Sequence, residues 1–512
     1  MKRASKVVVI MSDTQRKDMV GCYGNPDIQT PCLDRLAGQG LRFDRAYACQ
    51  PVCGPARSGL FTGTWPHSNG SWANHMPLGK NVRSIGQRLS AQGIHAAYIG
   101  KWHLDASDYF GTGLCPEGWD PKCWYDMRNY LDELSEEDRM RSRRIATNND
   151  PSLTEEFTFG HRCANRAIDF LETHRGEDFF LVVSYDEPHD PALCPKPFSD
   201  MYRGYRPPEK NNFHDSLEDK PEHHRLWAKR AAQLDEASIH AMIENYYGGN
   251  SFVDYEIGRV IEAVDRHAPD ALVIYTSDHG DMLFSHRLMF KGAAMYDEVT
   301  NVPFIVRWPG HAPQGAVCAH PVSHIDVTPT ILDAMGLTIP KTLEGKSMLE
   351  TLRDPTVKPN EAIFCEFHRF EIDLDGRGGF QPIRCGFDGR FKLVINLMVT
   401  DELYDLEQDP GEMANLIDSD QHAEVRNRLH DRILEWMNDT RDPFRGHYWE
   451  RRPWRTDARE ASFEYTGMDR KRHTEEDEPC LLDYGTGLRF ASNVRPTGAT
   501  QKKGDKPTPL EF

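Results

Sequence analysis

Apolar residues along the first two thirds of the chain follow two rhythms in turn. Short runs rich in β-branched residues (Lys6–Met11, His95–Ile99, Phe179–Tyr185, Leu272–Thr276 and Val302–Arg307) have the length and composition of buried strands. Between them the apolar positions recur at helical spacing: Pro31–Gln39 with Thr30 placed as its cap, Ser84–Gln92 closed by Gly93, Phe159–His174, and Ile239–His267. The alternation predicts an α/β fold, a large doubly wound, mainly parallel sheet with helices on both faces. Two segments break the rhythm. Residues 104–157 are rich in Asp, Trp and turn formers, and 186–235 are polar with many Pro and His, so both are expected to be insertions over one edge of the sheet rather than core.

Beyond residue 355 the pattern changes. Ala362–His368, Ile383–Gly386 and Arg390–Asn396 read as strands, with Asp388-Gly389 marking a tight turn, and Ala423–Met437 as a helix. The expected organisation is a large α/β domain over 1–355 and a smaller α+β subdomain with an antiparallel sheet over 356–440. An irregular extension over 441–512 would pack on the domain or on a neighbouring subunit of a homo-oligomer.

Composition narrows the function classes. A formal charge of −18 argues against nucleic acid as a partner and requires any anion site to be a local basic pocket. No apolar run reaches 18 residues, which predicts no membrane partner, and Val7–Met11 is too short for a signal-peptide core, so a cytoplasmic location is expected. The 12 cysteines lack paired spacing and are expected to be free thiols.

In an open α/β sheet ligands bind beyond the carboxyl ends of the strands. The residues just past each predicted strand are therefore informative: Asp13 after the first, Gly100-Lys101-Trp102-His103 after the second, Asp186-Glu187-Pro188-His189-Asp190 after the third, and Asp278-His279-Gly280-Asp281 after the fourth. Asp13, Asp278 and His279 have the donor types of a divalent-metal site. The carboxylates suit Ca²⁺, Mg²⁺ or Mn²⁺, and the imidazole leans toward Mn²⁺ or Zn²⁺. Taken singly, Asp at a strand end is often a helix cap, and Lys101, His103 or Lys291 an ordinary solvated or structural residue. Cys53 opens Cys53-Gly54-Pro55-Ala56-Arg57 at the start of a helix-like run. Pro55 suits a first helical turn, and the helix end together with Arg57 favours an anion or an anionic nucleophile.

These motifs resemble the type I, formylglycine-dependent sulfatases of the alkaline-phosphatase-like superfamily. The resemblance rests on Cys53-x-Pro55-x-Arg57, on Val8–Asp13, Gly100-Lys101-Trp102-His103-Leu104 and Ser277-Asp278-His279-Gly280-Asp281, on Lys291-Gly292, and on Glu402–Leu406 with Asp409-Pro410-Gly411-Glu412. Thr14 and His279 depart from the second aspartate and the asparagine that many members carry. The resemblance implies that a maturation enzyme converts Cys53 to formylglycine, and that Asp13, Asp278, His279 and residue 53 hold the metal, calcium first and Mn²⁺ or Mg²⁺ behind it. It implies that Arg57 and Lys101 support the nucleophile, that His189 and Lys291 bind sulfate and protonate the leaving group, and that His103 removes the diol proton. Asn74 is either a substrate ligand or a turn residue, and Trp102 a candidate substrate contact. The implied activity is sulfuric ester hydrolysis, exo-acting on a sulfated sugar such as a glycosaminoglycan-derived mono- or disaccharide. An aryl or alkyl sulfatase, a phosphonate monoester or phosphodiester hydrolase, and a non-catalytic anion carrier are the alternatives.

Overall fold

The computed structural model describes residues 3–105, 108–208, 210–371 and 379–458. The first strand shows why the core forms as it does. In β1 (Lys6–Ser12), Val7, Val9 and Met11 face one apolar cluster while Val8 and Ile10 face another, the two-residue period of a strand buried on both sides. The remaining strands of this sheet are β2 (Leu41–Tyr47), β3 (His95–Gly100), β4 (Phe179–Ser184), β5 (Leu272–Ser277), β6 (Asn301–Arg307), β7 (Ala316–Cys318) and β8 (Val322–Ser323). Their order is β3-β4-β1-β5-β6-β2-β7, with β8 also pairing β2.

β3, β4, β1 and β5 are mutually parallel, whereas β6 pairs antiparallel with both β5 and β2. The sheet is therefore mixed at β6. The apolar pattern does not mark β2, because its alternation is interrupted: the register with β6 shifts between Phe43 and Ala46, so the strand has no uniform period.

The helices fall on both faces, and the longest spans Glu236–His267, three residues earlier than the apolar pattern suggested because Asp235 caps it through the Ser238 N–H. Ser84 caps the short helix Ile85–Ser90 through a capping box with Gln87. Thr30 precedes the helix Pro31–Gly38 but makes no side-chain cap; its hydroxyl accepts the Gly21 N–H instead.

A second sheet, β12-β11-β10-β9, is antiparallel and consists of β9 (Ile363–Phe367), β10 (Ile383–Phe387), β11 (Phe391–Asn396) and β12 (Glu402–Asp405). Asp388-Gly389 makes the expected turn, with Gly389 at φ 105° and the Asp388 carboxylate accepting the N–H groups of Arg390 and Phe391. The helix Ala423–Asp439 covers this sheet, and Ile433 meets the open face of Gly386. Residues 441–458 fold onto this unit: buried Arg452 is paired with Asp401, and the Trp449 carbonyl accepts from His430. The rest of the extension, 459–512, lies outside the described residues.

The insertions differ from expectation. Segment 104–157 sends Trp119 into one central cluster and Tyr125, Met127 and Tyr130 into the other, because these large apolar side chains are buried against the sheet rather than left over its edge. Among the described residues no helix is long and apolar enough to cross a membrane.

Candidate active site

Because β3, β4, β1 and β5 are adjacent and parallel, the residues beyond their carboxyl ends collect at one edge. Asp13 comes after β1, Asp278 and His279 after β5, Lys101 and His103 after β3, and His189 lies beyond β4. Gly100 permits the closest of these approaches. It sits at φ 120°, and a Cβ there would lie 1.9 Å from the Ser184 carbonyl oxygen.

The helix Cys53–Thr62 points its N-terminus into this cluster with every residue buried. Arg57, one turn in, is fully buried and ties four strand ends together. Its Nε donates to Asp278 Oδ2 at 2.9 Å and its Nη2 to Asp13 Oδ2 at 2.9 Å, while Nη1 donates to the Lys101 carbonyl at 2.6 Å and to Ser184 Oγ at 2.8 Å. Such a fork is what a guanidinium offers and an ammonium does not. Lys101 Nζ, also buried, lies 2.7 Å from Asp13 Oδ2 and donates to Asp186 Oδ1 at 3.0 Å and to the Tyr109 hydroxyl at 2.7 Å. Burial opposes its charge, but Asp13, Tyr109 and Asp186 hold its pKa well above that of a free lysine.

Cys53 Sγ lies 3.1 Å from His279 Nε2 and 3.8 Å from Asp13 Oδ1. Burial and Asp13 push the thiol up, yet Lys291, Lys101 and the neighbouring His189 outweigh them, leaving it below an ordinary thiol. The position favours a negative charge, as the helix end and three cations require.

The donors fit a divalent cation. One ligand atom from each of Asp13, Cys53, Asp278 and His279 lies within 4.8 Å of the others, and all four residues are buried. His279 Nδ1 lies 2.8 Å from the Gly280 carbonyl, so it carries the proton and leaves the Nε2 lone pair facing the cluster. Burial and the neighbouring Asp13 push the Asp278 carboxyl up to about 7 despite His279 and Arg57, the behaviour of a carboxylate pair that still calls for positive charge. A bound divalent ion would polarise sulfate oxygens and supply Lewis-acid stabilisation of developing charge.

Thr14 takes the place of a second carboxylate by holding the first two. It adopts φ 68°, an uncommon conformation for a β-branched residue. In it the Thr14 hydroxyl donates to Asp13 Oδ1 at 2.6 Å and its N–H to Asp278 Oδ1 at 3.1 Å.

The opposite wall carries Lys291 and His189. Lys291 Nζ donates to His189 Nε2 at 2.7 Å, and His189 Nδ1 donates to the Asp190 carbonyl at 2.9 Å. The Lys291 loop is held from behind, since His223 and His224 both donate to the Ala293 carbonyl, at 2.7 and 3.0 Å. His103 stands at φ 59°, not in the extended segment its spacing from Lys101 suggested, and among the described residues neither of its buried ring nitrogens has a hydrogen-bond partner. Burial, Lys101, Arg57 and His75 drive its pKa well below 6.5, so it is a neutral base.

Trp102 and Asn74, the remaining candidate substrate contacts, have partners within the protein. Trp102 is 4% exposed and packs on Phe61, Tyr98, Trp119 and Trp124 with ring centroids 5.0–6.0 Å away, so it is core. Asn74 lies beside the helix end, where its Oδ1 accepts the Gly54 N–H at 2.9 Å, so it positions the nucleophile helix. From the 104–157 insertion it is Tyr109 that reaches the site, with its hydroxyl on Lys101 Nζ. Tyr109 and Ser184 were not singled out from sequence; Thr14 was noted only as a departure and Asp186 only within the Asp186–Asp190 run, whereas Tyr109 had no local signal.

The chain is similar to known proteins over most of its length. The Sulfatase family profile matches residues 5–337, and the profile for the C-terminal region of N-sulphoglucosamine sulphohydrolase matches 285–439. The uncharacterized sulfatase YidJ of Escherichia coli K12 is 44% identical over 499 residues, 95% of this chain and 97% of its own. The N-acetylglucosamine-6-O-sulfatase of Bacteroides thetaiotaomicron is 23% identical over 85% of this chain and 87% of its own. The solved structure of BT4656 with its substrate D-glucosamine-2-N,6-O-disulfate superposes with a TM-score of 0.71 at 21% identity, over 86% of this chain and 99% of that one. With one sulfatase matched almost end to end and the family profile spanning most of the sequence, the chain belongs to the sulfatase family.

Proposed function

We propose that this sulfatase hydrolyses a sulfate monoester on a small sugar, with residue 53 converted to formylglycine and calcium held by Asp13, Asp278, His279 and residue 53. The observation that carries the reading is the position of Cys53: at a buried helix N-terminus, 3.1 Å from His279 Nε2 and inside the four-donor cluster. A hydrated aldehyde there supplies the attacking oxygen and afterwards releases sulfate by collapsing back to the aldehyde.

The chain's own residues divide the remaining work. Arg57 and Lys101 fix Asp13 and balance negative charge around residue 53. Lys291 and His189, hydrogen-bonded to each other, bind sulfate oxygens and deliver a proton to the departing sugar hydroxyl. His103, neutral and unpartnered, accepts the diol proton. Asn74 holds the Gly54 N–H and with it the direction of the helix end. The sugar assignment draws support from relatives that act on sulfated sugars, the N-acetylglucosamine-6-O-sulfatase and the BT4656 complex among them.

Protein co-expressed with a formylglycine-generating maturation enzyme provides the test. Mass spectrometry of the peptide containing residue 53 should find it about 18 Da lighter than the cysteine form. That sample should release sulfate from sulfated mono- and disaccharides, and Cys53→Ala should not. An unmodified cysteine under these conditions, or turnover of an aryl phosphonate far faster than of any sulfate ester, overturns the proposal.

A further inference from the structure

Of the cations around this site, Arg57, Lys101 and Lys291 are buried and committed to Asp13, Asp278, Asp186 and His189. Arg143, from the 104–157 insertion, differs from them. Its side chain keeps 30% of its exposure, and its nearest carboxylate oxygen, Asp186 Oδ2, is 3.7 Å away, beyond hydrogen-bonding distance. Its hydrogen bond from Nη2 to the Asp190 carbonyl is long, at 3.5 Å. A guanidinium offers five N–H groups, so beside its contacts, among the described residues, with the Tyr109 hydroxyl and the Asp190 carbonyl the fork keeps N–H groups for another acceptor.

The head group is nevertheless held in place. It lies 5.5 Å from the centroid of the Tyr109 ring and 5.3 Å from that of Phe110. Tyr109 is the link to the chemistry: its hydroxyl accepts from Lys101 Nζ at 2.7 Å, and its ring lies 5.2 Å from that of His189 and 5.4 Å from that of His103. Arg143 therefore stands one aromatic ring away from the groups assigned to sulfate and to proton transfer, on the solvent side. In a chain of formal charge −18, a fixed cation at the mouth is what a second negative group on the substrate requires.

We infer that Arg143 is a specificity residue that binds a second anionic group, a carboxylate or a further sulfate, on the sugar whose sulfate ester is cleaved. This rests on the sulfatase reading given above. A planar fork with free N–H groups recognises either anion in bidentate fashion, and the stacked rings remove the freedom a surface arginine ordinarily keeps.

The test is equilibrium binding to the calcium-loaded Cys53→Ala protein, which separates recognition from turnover. One arm compares galactose 6-sulfate with galactose 4,6-disulfate, and the other glucose 2-sulfate with glucuronic acid 2-sulfate. In at least one arm the doubly anionic sugar should bind more tightly. Arg143→Gln should weaken that sugar by about tenfold or more, and the singly anionic one by no more than about threefold. Arg143→Lys should fall between, because it keeps the charge and loses the fork. The arm that responds identifies the second group as sulfate or carboxylate. Equal weakening of both sugars by Arg143→Gln, or no preference for the doubly anionic sugar in either arm, overturns the inference. Failure of the formylglycine-bearing protein to release sulfate would instead overturn the sulfatase reading and leave the binding comparison standing.

Discussion

Replacing Arg57 with methionine, which approximates its bulk without its charge, tests the electrostatic logic of the site directly. The guanidinium bonds Asp13 and Asp278 at 2.9 Å each, and all three side chains are 0% exposed. After the substitution Lys101 still lies 2.7 Å from Asp13, but Asp278 loses its arginine partner. Asp278 already sits at about 7 because burial and Asp13 oppose its ionisation, so losing Arg57 raises it further and leaves it protonated at neutral pH. Breaking a buried ion pair by removing one partner costs about 3–5 kcal/mol. The two lost hydrogen bonds to carboxylates, at about 1.5–3 kcal/mol each, give an overlapping range of about 3–6 kcal/mol. For a chain of this size about 1 kcal/mol corresponds to roughly one degree of melting temperature, so in chelator the variant should melt about 3–5 °C lower.

Saturating calcium should then stabilise the variant more than the wild type, since the ion supplies charge that Arg57 no longer does. Differential scanning calorimetry at one scan rate, with and without chelator, reads both effects. A chelator-state loss under about 1 kcal/mol would refute the reasoning. So would a calcium-induced shift no larger in Arg57→Met than in wild type.

The geometry fixes three further outcomes. Gly100→Ala places a Cβ 1.9 Å from the Ser184 carbonyl oxygen at φ 120°, so it should lose more than about 4 kcal/mol and most of its soluble yield; a variant with wild-type melting contradicts the packing described. Asn74→Ala strands the buried Gly54 N–H, so it should lower stability by about 1–3 kcal/mol and depress kcat, with Asn74→Asp recovering stability because it restores an acceptor; equal stability of all three proteins in urea melts would remove the positioning role. Because His103 is held neutral by burial, Lys101, Arg57 and His75, its base form persists as pH falls, and the acidic limb of kcat should lie well below pH 6.5; a limb centred at or above pH 6.5 refutes this role.

The chain's local signals carried much of this protein. The apolar run Val7–Met11, the helix Ser84–Gln92 closed by Gly93, the Asp388-Gly389 turn and the Cys53–Arg57 motif each depend on residues a few positions apart, so they are written in the sequence. The metal-site donors were legible for the same reason, since Asp13, Asp278 and His279 each stand at or next to a strand end. Distant partners decided the rest. Which strands are neighbours, and so which strand ends meet, depends on pairing β1 with β4 and β5, segments more than 170 and 260 residues away in sequence. The reversal of β6 is likewise a matter of pairing. Trp102 went into the core because Phe61, Tyr98, Trp119 and Trp124 surround it, and Asn74 turned to the helix because the Gly54 N–H needed an acceptor. Tyr109, Asp186 and Arg143 meet at the mouth of the site only because the insertion folds back across the strand ends. A side chain's type sets what it can bond, and the tertiary structure decides which of those bonds is within reach.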